Sequence, residues 1–87
     1  MLAKRIHITA HARFEMKRRG IRTADVIASI LNPGQVLLAL QRRRIFQSRM
    51  GSEGRMLLRV IVKEDAKAYH VVTAYKTSKV AKYWRYL

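Results

Sequence analysis

Three histidines, four tyrosines and nineteen lysines and arginines stand against only five carboxylates, Glu15, Asp25, Glu53, Glu64 and Asp65. That inventory suits chemistry on a phosphodiester without a metal ion. The acids are scattered along the chain, and Glu64 and Asp65 sit in an expected turn, so no carboxylate cluster offers oxygen ligands to a hard cation. His7, His11 and His70 have no recognised zinc-ligand spacing, and there is no cysteine. No metal or cofactor is therefore expected. RNA brings its own nucleophile, the 2′-hydroxyl. What remains is to take that proton, neutralise the charge that develops on phosphorus and protonate the leaving oxygen, and histidine, tyrosine, lysine and arginine can share those tasks.

Individual positions carry this chemistry unequally. Arg59 interrupts the apolar run Leu57, Leu58, Val60, Ile61. It is either a rim residue with a snorkelling stem or a phosphate clamp, since a guanidinium on a rigid strand grips phosphate with two donors. His11 lies near an expected helix start, where an anion is favoured by the helix dipole; an exposed histidine without a role fits equally. Arg42, Arg43 and Arg44 form a basic hairpin tip shaped to track a backbone. Tyr83, Trp84 and Tyr86 could stack on bases, although the helical spacing of Val80, Trp84 and Leu87 also suits a core.

The formal net charge of +14 on 87 residues is the strongest compositional signal. Such a charge opposes compaction, so the cations point to a polyanionic partner, RNA first, free or ribosome-associated. A membrane surface would favour one basic amphipathic helix, whereas here the cations spread along the chain. Apolar residues make up 49%, which excludes a disordered basic tail. No apolar run is long enough to span a bilayer, and no apolar segment follows Lys4 and Arg5, so a cytoplasmic, membrane-free protein is expected.

The elements that must position these residues follow from periodicity and from turn residues. Ile6 and Ile8 suggest a short first strand. Thr9 caps a helix to about Arg19, ended by Gly20, with Ala12 and Met16 on one face and Phe14 elsewhere. Thr23 caps a second helix with Asp25 in its first turn and Val26, Ile27, Ile30 and Leu31 as its buried stripe, stopped by Asn32, Pro33 and Gly34. Runs at 36–40, 44–50, 56–63 and 69–75 alternate like strands, and their short polar links are of hairpin type. On the last run Tyr69, Val71, Thr73 and Tyr75 share a face opposite His70, Val72, Ala74 and Lys76. The expected fold is a single α+β domain over 1–87: two N-terminal helices packed on one face of a curved antiparallel β-sheet meander, and a short C-terminal helix. The other sheet face is left for a ligand.

Two segments also resemble a known family. His11-Ala12-Arg13-Phe14-Glu15-Met16-Lys17-Arg18-Arg19-Gly20-Ile21 resembles the "HAxxRMxxRGI" opening of small bacterial domains placed with RelE-like and BrnT-like toxins, in the superfamily of barnase-like and colicin-type ribonucleases. Asn32-Pro33, RVIV at 59–62, VVTAY at 71–75, and Tyr75-Lys76-Thr77-Ser78-Lys79 with Lys82-Tyr83-Trp84 fit the same pattern. Glu15 departs from it, since that position is often arginine, and Arg13 or Arg18 would have to substitute. The resemblance implies a RelE-like, metal-independent endoribonuclease of a toxin–antitoxin system, checked by an antitoxin with an acidic surface. It implies catalytic roles for His11, Arg59, Tyr75 and Lys79, and contacts to RNA through Arg19 and Thr73. Arg13, Arg42, Arg43, Arg44, Lys76 and Lys82 complete the expected RNA-binding set. The alternative is a non-catalytic RNA- or ribosome-binding module with the same surface.

Overall fold

The computed structural model describes residues 4–86 of the chain. Met1 to Ala3, which begin the basic opening segment, and Leu87, expected on the last helix, lie outside them. The elements run β1 (Arg5–Ile8), α1 (Ala10–Arg18), α2 (Thr23–Leu31), β2 (Gln35–Leu38), β3 (Arg43–Met50), β4 (Met56–Glu64), β5 (Ala68–Thr77) and α3 (Val80–Tyr83). The class is α+β. Five strands form one sheet in the order β1-β5-β4-β3-β2.

Strands β2 to β5 make the expected antiparallel meander, but the sheet is mixed rather than purely antiparallel. Strand β1 lies parallel to β5, with Ile6 opposite Tyr69 and His7 opposite His70. Its four residues RIHI carry no turn signal tying them to β5, because the parallel partner lies at the far end of the chain. The first helix starts as its sequence dictates. Thr9 is the N-cap and its hydroxyl accepts from the Ala12 amide at 3.1 Å. Thr23 is not a cap. Arg22 holds that position with no side-chain capping bond to the backbone, and Thr23 begins the helix.

Helices α1 and α2 bury Ala12, Met16, Val26 and Ile30 against Phe46, Leu58, Val60, Val62, Val71 and Ala74 on one sheet face. Phe14 is exposed, as its position off the stripe requires, but Leu31 is exposed too, because α2 ends there and the chain turns away. The alternation on β5 is broken by a bulge. Ile61 pairs with Thr73 but Val62 with Val71, so Val72 is extra. Val71 and Ala74, which strict alternation puts on opposite faces, therefore both enter the core.

The opposite face is not wholly open. Tyr83 and Trp84, from α3 and the turn after it, lie across one end of it. The Trp84 ring passes so close to Gly34 that a Cβ there would sit 2.9 Å from it. Gln35 clasps the same segment, giving its amide N–H to the Arg85 carbonyl at 2.6 Å and accepting the Arg85 N–H at 3.0 Å. No helix among the described residues is long and apolar enough to cross a membrane.

Candidate nucleic-acid interface

Arg59 is not a rim residue. It is only 6% exposed, on the sheet face that carries α3. Cross-strand register explains its surroundings: Gln47 on β3 and Tyr75 on β5 flank it directly. Arg59 Nε donates to Gln47 Oε1 at 2.9 Å, and Nη1 donates to the Tyr75 hydroxyl oxygen at 2.6 Å. The Tyr83 ring covers the guanidinium at 4.0 Å. Gln47 is wholly buried and passes its own amide N–H groups to Gln35 and to the Tyr83 carbonyl. Among the described residues no carboxylate pairs with Arg59. Its charge is held by amide and phenol oxygens and by an aromatic face.

Arg59 thus directs its donors to Gln47 and Tyr75 within the sheet face. Because the phenol oxygen already accepts from Arg59, its own O–H is left to donate to a further acceptor. Tyr75 also lines a cleft of about 470 Å³ together with Arg19 and Lys76. The cleft lies along the edge of β5 beyond Val71, where β1 has stopped pairing. An edge brings both sheet faces to one opening, which is how consecutive residues with opposed side chains line the same cleft. Arg19, at the end of α1, reaches this edge. Its Nη1 donates to the Ala74 carbonyl at 2.8 Å and to Thr73 Oγ1 at 3.3 Å, and its Nη2 lies 3.1 Å from Glu15. The Glu15 departure therefore anchors the arginine cluster of α1. Its carboxyl is held below the ordinary range, chiefly by the hydrogen bond from Arg18.

The other expected site residues separate. His11 is exposed on the first turn of α1, one turn from Glu15, and no hydrogen bond joins it to Arg59, Tyr75 or Lys79 among the described residues. Lys79 is exposed at the start of α3, where its backbone N–H bonds Thr77 Oγ1. Arg13 belongs to a different groove, with Lys17 and Arg22 between α1 and α2. Arg42 sits in the β2–β3 hairpin with φ of 60°. Arg43 and Arg44 begin β3 rather than the hairpin tip, and Arg44 lies 3.4 Å from Glu64. Lys82 lies beside the Tyr83 ring at 5.2 Å.

Two groups of residues were not expected from the sequence. Gln47 is one; nothing marks a glutamine in a strand as the acceptor for an arginine until the register is known. The other is a chain of three titratable groups on the opposite half of the same sheet face. His7 and His70, 63 residues apart, bring their Nδ1 atoms to 3.1 Å, and His70 Nε2 lies 2.8 Å from Asp65 Oδ2. A carboxylate only accepts, so the bond to Asp65 is donated by His70 Nε2–H. Asp65 also accepts the Lys67 and Ala68 amides at 2.8 Å. Its carboxyl is pulled down to about 2, first by the His70 hydrogen bond and then by those two amides. Lys63 and Arg43 continue the row from His70 across β4 and β3. Among the described residues no group of three or more metal-ligating side chains is placed to hold an ion.

A family model described as "Domain of unknown function (DUF4258)" matches residues 8–82, from the end of β1 through α3. The chain belongs to this family. No curated protein and no solved structure matches it significantly. The DUF4258 match takes in α1, the Arg59–Gln47–Tyr75 cluster and the cleft beside it. It leaves His7 just outside.

Proposed function

We propose that this DUF4258 protein is a toxin-type endoribonuclease of the reducing cytoplasm, cleaving RNA without a metal by attack of the 2′-hydroxyl. The observation that carries the reading is Tyr75, whose hydroxyl is held at 2.6 Å by a buried guanidinium and which lines a cleft with Arg19 and Lys76. A phosphate in that cleft meets a preorganised O–H donor and cations with no acid lining it. Donors fixed before the charge develops are what lower such barriers. In this reading Tyr75 and Lys76 contact the phosphate, Arg59 positions Tyr75, and Arg19 with Thr73 shapes the edge. A lysine or water takes the 2′-OH proton, O2′ bonds to phosphorus, and the P–O5′ bond breaks as O5′ takes a proton from lysine or water. The RelE-like resemblance agrees with this, as does an acidic antitoxin as the natural check on a surface of this charge.

The test is incubation of purified protein with total RNA in chelator, followed by mapping of the ends. Cyclic 2′,3′-phosphate and 5′-hydroxyl ends that diminish in Tyr75→Phe support the reading. Intact RNA, or cleavage that requires added magnesium, overturns it. A non-catalytic RNA-binding module is favoured by one specific observation: among the described residues no hydrogen bond joins His11 or the Lys79 side chain to Tyr75 or Arg59. Salt-sensitive binding of RNA that stays intact would establish that alternative.

A further inference from the structure

The sheet ends at β2 in an unusually apolar edge. The Ala39 N–H bonds the Arg43 carbonyl at 2.8 Å, and hydrogen-bonded residues alternate along an antiparallel pair. Leu37 and Gln35, two and four residues back, therefore direct their N–H and C=O toward β3. Val36 and Leu38 direct theirs away from the sheet. These same residues expose their side chains, Leu38 to 84%, and Leu40 just beyond is exposed to 89%. Leu31, at the end of the helix leading into the strand, adds a fourth exposed apolar group. Edge strands ordinarily protect themselves with charge, proline or a bulge. The other edge does so with Arg5 and His7, whereas β2 is Gln35-Val36-Leu37-Leu38.

The charge around this edge selects the occupant. No acid occurs between Asp25 and Glu53, while Arg42, Arg43, Arg44 and Arg49 all fall in that span; of these Arg44 lies 3.4 Å from Glu64 and the others have no carboxylate partner among the described residues. A second copy of the chain would bring another +14 to the same place. We infer that β2 receives an added β-strand from an acidic partner polypeptide: an extended segment alternating apolar residues with Asp or Glu. Its backbone pairs with the outward groups of Val36 and Leu38. Its apolar side chains cover Leu38 and Leu40, and its carboxylates meet Arg42 and its neighbours. Strand β2 lies three strands from β5, about 14 Å at ordinary strand spacing. This docking edge is independent of the cleft at Tyr75 and stands whether or not the protein cleaves RNA.

The probe is a synthetic ten-residue peptide alternating Glu with Val or Leu, compared with one alternating Glu with Ser, at about 0.15 M salt, where charge-only attraction is screened. The apolar peptide should bind at least about tenfold more tightly and should slow hydrogen exchange at the Val36 and Leu38 amides. Leu38→Pro should remove that advantage with an unchanged thermal melt, because the lost N–H makes no ladder bond and proline is tolerated at a sheet edge. Leu38→Ser, which keeps the N–H and removes the apolar contact, should weaken binding in the same direction and covers the case that the proline variant does not fold. Equal binding of the two peptides without protection at Val36 and Leu38 overturns the inference. So does protection of those amides by an RNA oligomer instead, or a dimer of the chain that Leu38→Ser dissociates.

Discussion

Replacing Arg59 with methionine separates what the guanidinium does for folding from what it does for Tyr75. Methionine fills much of the stem's volume, so little cavity is created. What is lost is the donor to Gln47 Oε1, a wholly buried acceptor, the donor to the Tyr75 hydroxyl, and the cation over Tyr83. An unsatisfied buried acceptor costs about 1–3 kcal/mol. A desolvated cation–π contact contributes about 2 kcal/mol. Relief of the guanidinium's own desolvation offsets part of this. The net expectation is a loss of about 2–4 kcal/mol, a fall in Tm of roughly 10–30 °C for a domain of this size. The contrast with a half-exposed strand arginine is sharp, since truncating one of those changes stability little.

The assay is urea unfolding followed by the fluorescence of Trp84, the one tryptophan. The decisive arm is the double variant Arg59→Met with Gln47→Leu. Replacing both partners by apolar groups removes the orphaned acceptor, so the double variant should be more stable than the sum of the two single losses by about 1–2 kcal/mol. Under the proposed function it should also lose RNA cleavage or binding, because Tyr75 is no longer held. Single losses that add to within about 0.5 kcal/mol would show that Arg59 and Gln47 are not a unit, and the account of how Tyr75 is positioned would fall.

Tyr75→Phe leaves the ring and removes the oxygen at 2.6 Å from Arg59, so the melt should drop by about 1–2 kcal/mol while cleavage falls on the order of a hundredfold; wild-type cleavage rates in the folded variant would sink the cleft as the centre. Affinity for single-stranded RNA should fall with salt at a log–log slope of about −0.7 per phosphate contact, roughly −3.5 for about five contacts, and a flat dependence would remove RNA as the partner. Asp65, lowered from 3.8 to about 2, contributes stability that is complete above its unfolded pKa and is lost as pH falls through the folded value. The gap in urea midpoint between wild type and Asp65→Asn should therefore be constant above about pH 5 and close between about pH 4 and 2; a gap unchanged at pH 2 would mean that the ion–imidazole contact is absent.

Features legible in the sequence are those set by local periodicity. Thr9 as a cap, Ala12 and Met16 as the inner face of α1, Val26 and Ile30 on α2, and the split of Leu58, Val60 and Val62 from Leu57, Arg59 and Ile61 all follow from spacing along a single element. Features that depend on pairing between distant strands were not legible. The bulge at Val72 shifts half of β5 relative to β4. The parallel seat of β1 brings His7 to His70. The burial of Arg59 depends on Gln47 standing opposite it and on Tyr83 returning from the C-terminus. In each case the residue type was visible and its partner was not, because a strand's register is fixed by the whole sheet.

The way Arg59 is satisfied bears on what the cleft can bind. A carboxylate partner would have held the guanidinium more strongly, but it would also have cancelled its charge. Amide and phenol oxygens supply hydrogen bonds through dipoles and leave the net positive charge in place. For a phosphate oxygen accepting from Tyr75, that charge stands roughly 5 Å away, worth about 3 kcal/mol of attraction at an effective dielectric of about 20. The five acids of the chain are engaged elsewhere: Glu15 with Arg18 and Arg19, Asp25 with Arg22, Glu53 with Arg55, Glu64 with Lys4 and Arg44, and Asp65 with His70. Of these only Glu15 bonds a residue of the cleft, Arg19, at 3.1 Å. The field at Tyr75 is therefore left positive by the choice of Gln47 where an acid would have been the stronger partner. That choice costs stability in the empty protein and favours an anion at the phenol.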